Sequence, residues 1–259
     1  MCPQGRKSAR GQTRAARVES ALLEESMSLM GNSFSSIFPA EAVFACRGPG
    51  DPGNLLPEES TLLGGMVAPE RRRDFTLGRV CAREALAGLR PEWSRFPVLR
   101  QGERLPLWPA GVAGAIAHTG GWAAAVAAWS PPFLGLGVDM ERLRPVSDRL
   151  RRRILRPEEL AATEALEDAQ QREWDFMLRF SVKESLFKAL YPRGGVYLGF
   201  QAATVLPPPG AWAADQGALR WRLHQGCGPE FPPGLEGVGA FQRRGEWLLT
   251  GAWVLAPNG

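Results

Sequence analysis

The sequence predicts an α+β protein on three observations. Helical periodicity and short apolar strand-like runs both occur, the order is strand, helix, strands, then helices and more strands, and no regular βαβ alternation is present. The two halves are similar in content, dividing near Gly135 without a residue-by-residue repeat, so residues 36–134 and 135–259 are expected to form two α+β halves.

Residues 1–35 are basic and polar, with Arg6, Lys7, Arg10, Arg14 and Arg17, and carry no secretory apolar segment. They are expected to be a disordered basic tail, or to precede a true initiator at Met27 or Met30. Folded sequence should start near Ser36. Residues 38–46 suit a first strand, and 48–57 a turn-rich loop. Residues 58–65 and 69–89 look helical. Pro69 stands at a helix start, and Phe75, Val80, Ala82, Leu86 and Leu89 recur at roughly helical spacing. Residues 98–109 are irregular. Short buried strands are expected at 116–117, 123–129 and 134–140, then helices at 149–155, 157–166 and 172–190. Strands should close the chain at 203–206, 219–223, 237–242 and 247–254, with Pro207–Gly210 breaking the first from the next.

With 259 residues, 44% hydrophobic and 22% charged, the chain can bury a proper core. Its net charge of +4 suits an anionic partner without choosing among nucleotide, nucleic acid and acidic protein. Cys2, Cys46, Cys81 and Cys227 lie far apart with no CxxC spacing, so a reducing, cytoplasmic setting is expected. No apolar run is long enough to span a bilayer, because glycines and His118 punctuate residues 110–132.

Four features carry chemistry. In Gly137-Val138-Asp139-Met140-Glu141, Asp139 and Glu141 point to one face of an extended segment. Two carboxylates so close repel unless a cation separates them, and oxygen ligands suit magnesium; a strand end with two solvated acids is the plainer alternative. In Phe180-Ser181-Val182-Lys183-Glu184-Ser185-Leu186-Phe187-Lys188, Glu184 and Lys188 share a helix face at i,i+4, where a surface ion pair is the alternative. Lys183 is turned about 100° from Glu184. His118 follows an apolar strand and precedes Gly120 and Gly121, where backbone can approach a ligand, although a lone histidine is more often structural. Arg71, Arg72, Arg73, Arg79 and Arg83 make one segment basic. Arg79 and Arg83 sit among apolar residues and could fork onto phosphate. With only two histidines, proton transfer falls to a carboxylate or to water on a metal. A magnesium-dependent nuclease or a nucleic-acid-binding protein could use the same groups. However, no aromatic-basic interleaving or nucleic-acid motif supports either, and no nucleic-acid or membrane partner is expected.

Together, Gly137–Glu141 and Phe180–Lys188 resemble the paired motifs of the surfactin- and enterobactin-synthetase type of 4'-phosphopantetheinyl transferases. The enterobactin branch is nearest. Leu107-Trp108-Pro109, Gly114–His118, Gly78-Arg79 with Arg83, and Leu190-Tyr191-Pro192 are similar to its segments, with Ala115 and Ala117 standing where serines are common. The resemblance implies two α+β halves related by a pseudo-twofold, with coenzyme A in the cleft between them, and a monomer. It implies magnesium on Asp139, Glu141 and Glu184, with Glu159 a further acid near the site. Lys188 would lie at the pyrophosphate, with Arg79, Arg83, Arg104, His118 and Lys183 as coenzyme A contacts. Asp139, Glu184 and Lys188 would carry catalysis: a carrier-protein serine attacks the β-phosphorus, 3',5'-ADP leaves, and Glu184 or water on the metal takes the proton. The partner would be an acidic acyl or peptidyl carrier, as in siderophore synthesis. The seven arginines from Arg142 to Arg156 would meet it.

Overall fold

The structure is a computed structural model that describes residues 37–48, 53–102 and 105–257, so the N-terminal tail and Arg104 lie outside the described residues. The chain runs β1 (Val43–Arg47), α1 (Pro57–Ser60), α2 (Pro69–Leu89), β2 (Arg100–Gln101), β3 (Leu105–Pro106), β4 (Val112–Thr119), β5 (Trp122–Trp129) and β6 (Phe133–Arg142). It continues through α3 (Asp148–Ile154), α4 (Pro157–Glu164), α5 (Ala169–Gly194), β7 (Ala203–Leu206), β8 (Gln216–Leu223), β9 (Glu236–Arg244) and β10 (Trp247–Leu255). The fold is α+β. One sheet has the order β1-β5-β4 and a second the order β6-β10-β9-β8-β7, with every pairing antiparallel.

Four layers result. Ala123, Ala125 and Ala127 of β5 pack with Leu77, Cys81, Ala85 and Leu86 of α2. The opposite face of β5, with Trp122, Ala124 and Val126, meets Leu136, Val138 and Met140 of β6 and Leu249 of β10. The far face of the larger sheet packs Leu248 and Ala252 against Leu178, Val182, Leu186 and Leu190 of α5. A strand buried on both faces reads as a continuous apolar run, which is why the alternation typical of a half-buried strand is missing at 122–129.

Most boundaries match the sequence-based expectation. The exceptions have local causes. The strands around His118 are longer than predicted, running over eight residues each and joined at Gly120 and Gly121, whose φ values of 56° and 83° allow a two-residue hairpin turn. The first strand is shorter: residues 37–42 instead bring Phe38 onto Phe44 and Trp253, with ring centroids 5.6 and 6.2 Å apart. Helix α5 starts earlier, at an Asp168 cap that accepts from the Gln171 N–H, and ends later, at Gly195 in the left-handed region.

The contact that shapes the functional region lies between β6 and α5. A Cβ on Gly137 would stand 1.9 Å from the Ser185 carbonyl oxygen, and one on Gly135 would stand 2.5 Å from that of Ala189. Strand and helix backbones therefore touch. Two strand residues advance about 6.7 Å and four helical residues about 6.0 Å. Gly135, Gly137 and Asp139 thus step in phase with Ala189, Ser185 and Ser181, the chains running in opposite directions. The next strand position after the two glycines delivers Asp139 to Ser181, whose hydroxyl lies 2.8 Å from its carboxylate. Gly137→Ala should destabilise the protein by about 2–3 kcal/mol or more through overpacking, read as a lowered urea midpoint. An unchanged midpoint would show that the contact is not tight there.

Candidate active site

Asp139, near the end of β6, is buried and receives two hydrogen bonds. Lys188 Nζ donates to Oδ1 at 2.7 Å and Ser181 Oγ donates to Oδ2 at 2.8 Å. Behind Ser181 stand two more buried hydroxyls. Thr250 Oγ1 is 2.8 Å from both Ser181 Oγ and Ser185 Oγ, and Ser185 Oγ is also 3.1 Å from the Thr250 carbonyl. Each hydroxyl has one proton, and a carboxylate only accepts. Ser181 spends its proton on Asp139, so Thr250 Oγ1 must donate to Ser181, and the single proton of Ser185 is shared between the Thr250 carbonyl and hydroxyl oxygens. The result is a directed chain that fixes the Asp139 side chain from inside the core.

Glu141 and Glu184 are half-buried on the outer side of Asp139. Burial first, and the Asp139 charge second, push Glu141 up to about 7, with Arg144 and Lys188 pulling the other way. Burial and Asp139 raise Glu184 as well, opposed by Lys188. The three acids therefore feel one another, and Lys188 stands among them. His118 joins the same electrostatic neighbourhood. Desolvation at the cleft wall holds it below the ordinary histidine value, Asp74 and Asp139 oppose that, and Lys188 and Arg79 reinforce it.

From this cluster a cleft of about 690 Å³ extends along Lys188, Glu184, Phe187, Tyr191, Ile116 and Pro106. A smaller hollow of about 280 Å³ adjoins it, sharing Ile116 and Pro106, and is lined by Asp74, Phe75, Arg79, Arg100 and His118. Arg79 and Arg100 both lie over the Phe75 ring, at 4.4 and 5.6 Å. Arg79 is buried, and desolvation, with Arg100 adding to it, lowers its guanidinium to about 10. Its Nε and the Oδ1 of Asp74 have no hydrogen-bond partner among the described residues.

The structure thus brings Glu184 and Lys188 to the cleft and Arg79 and His118 to the adjoining hollow, with Asp139 and Glu141 in electrostatic contact with them. Among the described residues it does not bring Arg83, Lys183 or Glu159 there, and Arg104 lies outside the described residues. Arg83 is buried in an ion pair with Glu59 and also donates to the Asn54 carbonyl. Lys183 points to the opposite side of α5 from the cluster's Asp139, donating to Glu159 and, at 3.0 Å, to the Ile154 carbonyl. Glu159 is consumed by that pair and by the N–H groups of Arg156 and Val205 at 2.9 and 2.7 Å, so it is spent on packing. Arg100, Ser181, Ser185 and Thr250 were not singled out from sequence. The i,i+4 spacing of Ser181 and Ser185 beside the lysine motif, and a lone threonine in the apolar run 247–254, were the available signals.

Among the described residues, no group of three or more His, Cys, Asp or Glu side chains is arranged as a ready-made metal cage. The donor chemistry nevertheless fits a hard cation. Three carboxylates, two of them raised by burial and by the Asp139 charge, are what a divalent ion would relieve.

Acids and a lysine beside one hollow, with arginines lining the adjoining one, make a polar site whose chemistry suits a phosphorylated ligand with a cation. Comparison with known proteins makes this specific. The family model of the 4'-phosphopantetheinyl transferase N-terminal domain matches residues 58–128, and that of the 4'-phosphopantetheinyl transferase superfamily matches residues 135–225. The chain is 37% identical over 225 residues to 4'-phosphopantetheinyl transferase Svp of Streptomyces mobaraensis, covering 82% of this chain and 83% of that protein. It is 33% identical over 201 residues to 4'-phosphopantetheinyl transferase Npt of Nocardia iowensis, covering 77% and 86%. It is also 33% identical over 159 residues to 4'-phosphopantetheinyl transferase PptT of Mycobacterium tuberculosis, covering 60% and 67%. The chain belongs to the 4'-phosphopantetheinyl transferase superfamily and is an enzyme of that class.

The hydroxyl chain is testable by itself. Thr250→Val keeps the shape but leaves Ser181 without its donor, and should cost about 1–3 kcal/mol of stability in chemical denaturation. No loss would mean that the chain does not hold Asp139.

Proposed function

We propose that this enzyme transfers the 4'-phosphopantetheine group of coenzyme A to a serine of an apo carrier protein, with 3',5'-ADP leaving. The observation that carries this reading is the clustering of Asp139, Glu141, Glu184 and Lys188 beside a cleft whose adjoining hollow is lined by Arg79, Arg100 and His118. Adjacent acidic and basic regions of this kind suit a ligand that carries a pyrophosphate, bound with a cation, and a phosphorylated nucleoside. Arg79, with a buried nitrogen lacking a partner, and Arg100 would hold the nucleotide end against Phe75. Lys188 would turn from Asp139 to the pyrophosphate oxygens.

Asp139, Glu141 and Glu184 would hold magnesium, which supplies neutralisation of charge on the pyrophosphate as the serine oxygen bonds to phosphorus and the bridging oxygen departs. Glu184, or water held by the metal, would take the serine proton. The carriers would be those of fatty acid, polyketide or nonribosomal peptide assembly, and siderophore assembly fits the resemblance to the enterobactin branch. Cys46, Cys81 and Cys227 are free thiols, which suits a cytoplasmic setting. No helix among the described residues is long and apolar enough to cross a membrane.

Incubation with coenzyme A, magnesium and an apo carrier should add one phosphopantetheine to the carrier's mass, and Asp139→Ala should abolish the addition while the protein stays folded. An unmodified carrier, or full activity of the variant, would contradict the assignment.

The carrier would dock on the basic segment beyond β6. Three of its seven arginines are paired: Arg142 with Glu246, Arg151 with Glu173 and Arg156 with Glu158. Arg144, Arg149, Arg152 and Arg153 are exposed and have no ion pair among the described residues, which leaves a positive face beside Glu141. An acidic carrier surface would be steered to it. Replacing Arg149, Arg152 and Arg153 by Glu should raise KM for the carrier by about tenfold or more, as added salt should, while KM for coenzyme A holds. Equal loss for both substrates would place docking elsewhere.

A further inference from the structure

Glu59 and Glu159 occupy matching places in the two halves of the chain. Each follows a Pro-Glu at the start of a short helix, Pro57 in α1 and Pro157 in α4. Each carboxylate reaches back to the backbone N–H three residues earlier, that of Leu56 at 3.0 Å and of Arg156 at 2.9 Å. Each is paired with a cation 24 residues further on, Arg83 of α2 and Lys183 of α5. Each accepts a third bond from the N–H of a valine beyond the long helix, Val98 at 3.0 Å and Val205 at 2.7 Å. Both carboxylates are essentially excluded from water, at 0% and 1% exposure.

One carboxylate in each half thus ties three pieces of chain together: a short helix start, a long helix, and the segment that returns from it. The surroundings extend the parallel. Arg79 and Arg179 stand four residues before the two cations, and Glu84 and Glu184 one residue after them. Arg179 lies 3.8 Å from Glu159 and is otherwise held by Asp175 and the Val205 carbonyl. These side-chain agreements at a constant offset of 100 residues fit the two similar halves that the family resemblance implies.

A buried ion pair is a poor source of stability, since desolvating two charges offsets most of their attraction. A pair kept in both halves, with its remaining oxygen capacity spent on backbone N–H groups, instead fixes orientation. The two long helices carry the two ends of the cleft. Helix α2 bears Asp74 and Arg79 of the small hollow, and α5 bears Glu184 and Lys188 of the acidic cluster. We propose that Glu59 and Glu159 are equivalent positioning residues: Glu59 sets the helix that binds the nucleotide end, and Glu159 sets the helix that carries the transfer step. The inference rests on the transferase reading of the cleft.

The test is steady-state kinetics with coenzyme A and an apo carrier, at a temperature where circular dichroism shows each variant folded. Glu159→Gln should lower kcat by about tenfold or more and leave KM for coenzyme A within about twofold, because a misplaced reacting group costs rate. Glu59→Gln should do the reverse, raising KM for coenzyme A by about tenfold with kcat within about twofold. Should a Gln variant not fold, Glu159→Leu with Lys183→Met, or Glu59→Leu with Arg83→Met, leaves no unpaired buried charge and should show the same split. The same kinetic pattern from both halves, or losses that merely follow the folded fraction, would overturn the proposal. Failure of the unsubstituted protein to modify any carrier would instead contradict the transferase reading, and the positioning roles with it.

Discussion

The backbone contact between β6 and α5 is the constraint on which the rest of the site depends. Two glycines, Gly135 and Gly137, remove the side chains that would otherwise separate strand from helix. The near-equal advance of two strand residues and four helix residues then carries the contact forward in phase. At the next step the strand offers a carboxylate and the helix a hydroxyl, so Asp139 meets Ser181 in the core with Lys188 at its outer oxygen. Glu141, two residues on along β6, and Glu184, on the same helix, fall beside it without any loop having to be ordered. Residues built on packed elements hold their geometry better than residues on loops, and reaction at a phosphate demands that.

The electrostatics follow from this placement. Burial first, and the Asp139 charge second, raise Glu141 and Glu184, and one lysine only partly compensates them. The site is therefore poised for more positive charge than the chain supplies. At the far end burial lowers Arg79, with Glu59 opposing and Arg100 adding to the effect. A ligand that brings negative charge to the arginines, together with a cation for the acids, relieves both ends. Neither end is comfortable alone, which fits the proposed binding of a polyanion with a cation.

Much of this was legible in the sequence. The Gly137–Glu141 and Phe180–Lys188 segments name Asp139, Glu141, Glu184 and Lys188 outright, and the α+β class follows from element order. What could not be read depends on tertiary register. Thr250 matters because β10 places it opposite Asp139 in the sheet ladder, which no local pattern reveals. Lys183 sits beside Glu184 in sequence, yet the turn of a helix sends its ammonium away to Glu159. Arg83 shares a helix face with Arg79 and was grouped with it, but Glu59 claims its guanidinium. Arg100 stands in a stretch without periodicity, and only the fold carries it to Phe75.

The most direct measurement is calorimetric titration of coenzyme A into the protein with and without magnesium, in the absence of any carrier. If the strand–helix contact builds a site for a cation and a pyrophosphate together, magnesium should tighten coenzyme A binding by about tenfold or more, and Asp139→Asn should remove that gain while leaving the magnesium-free affinity nearly unchanged. Equal affinity with and without magnesium in the unsubstituted protein would contradict the account.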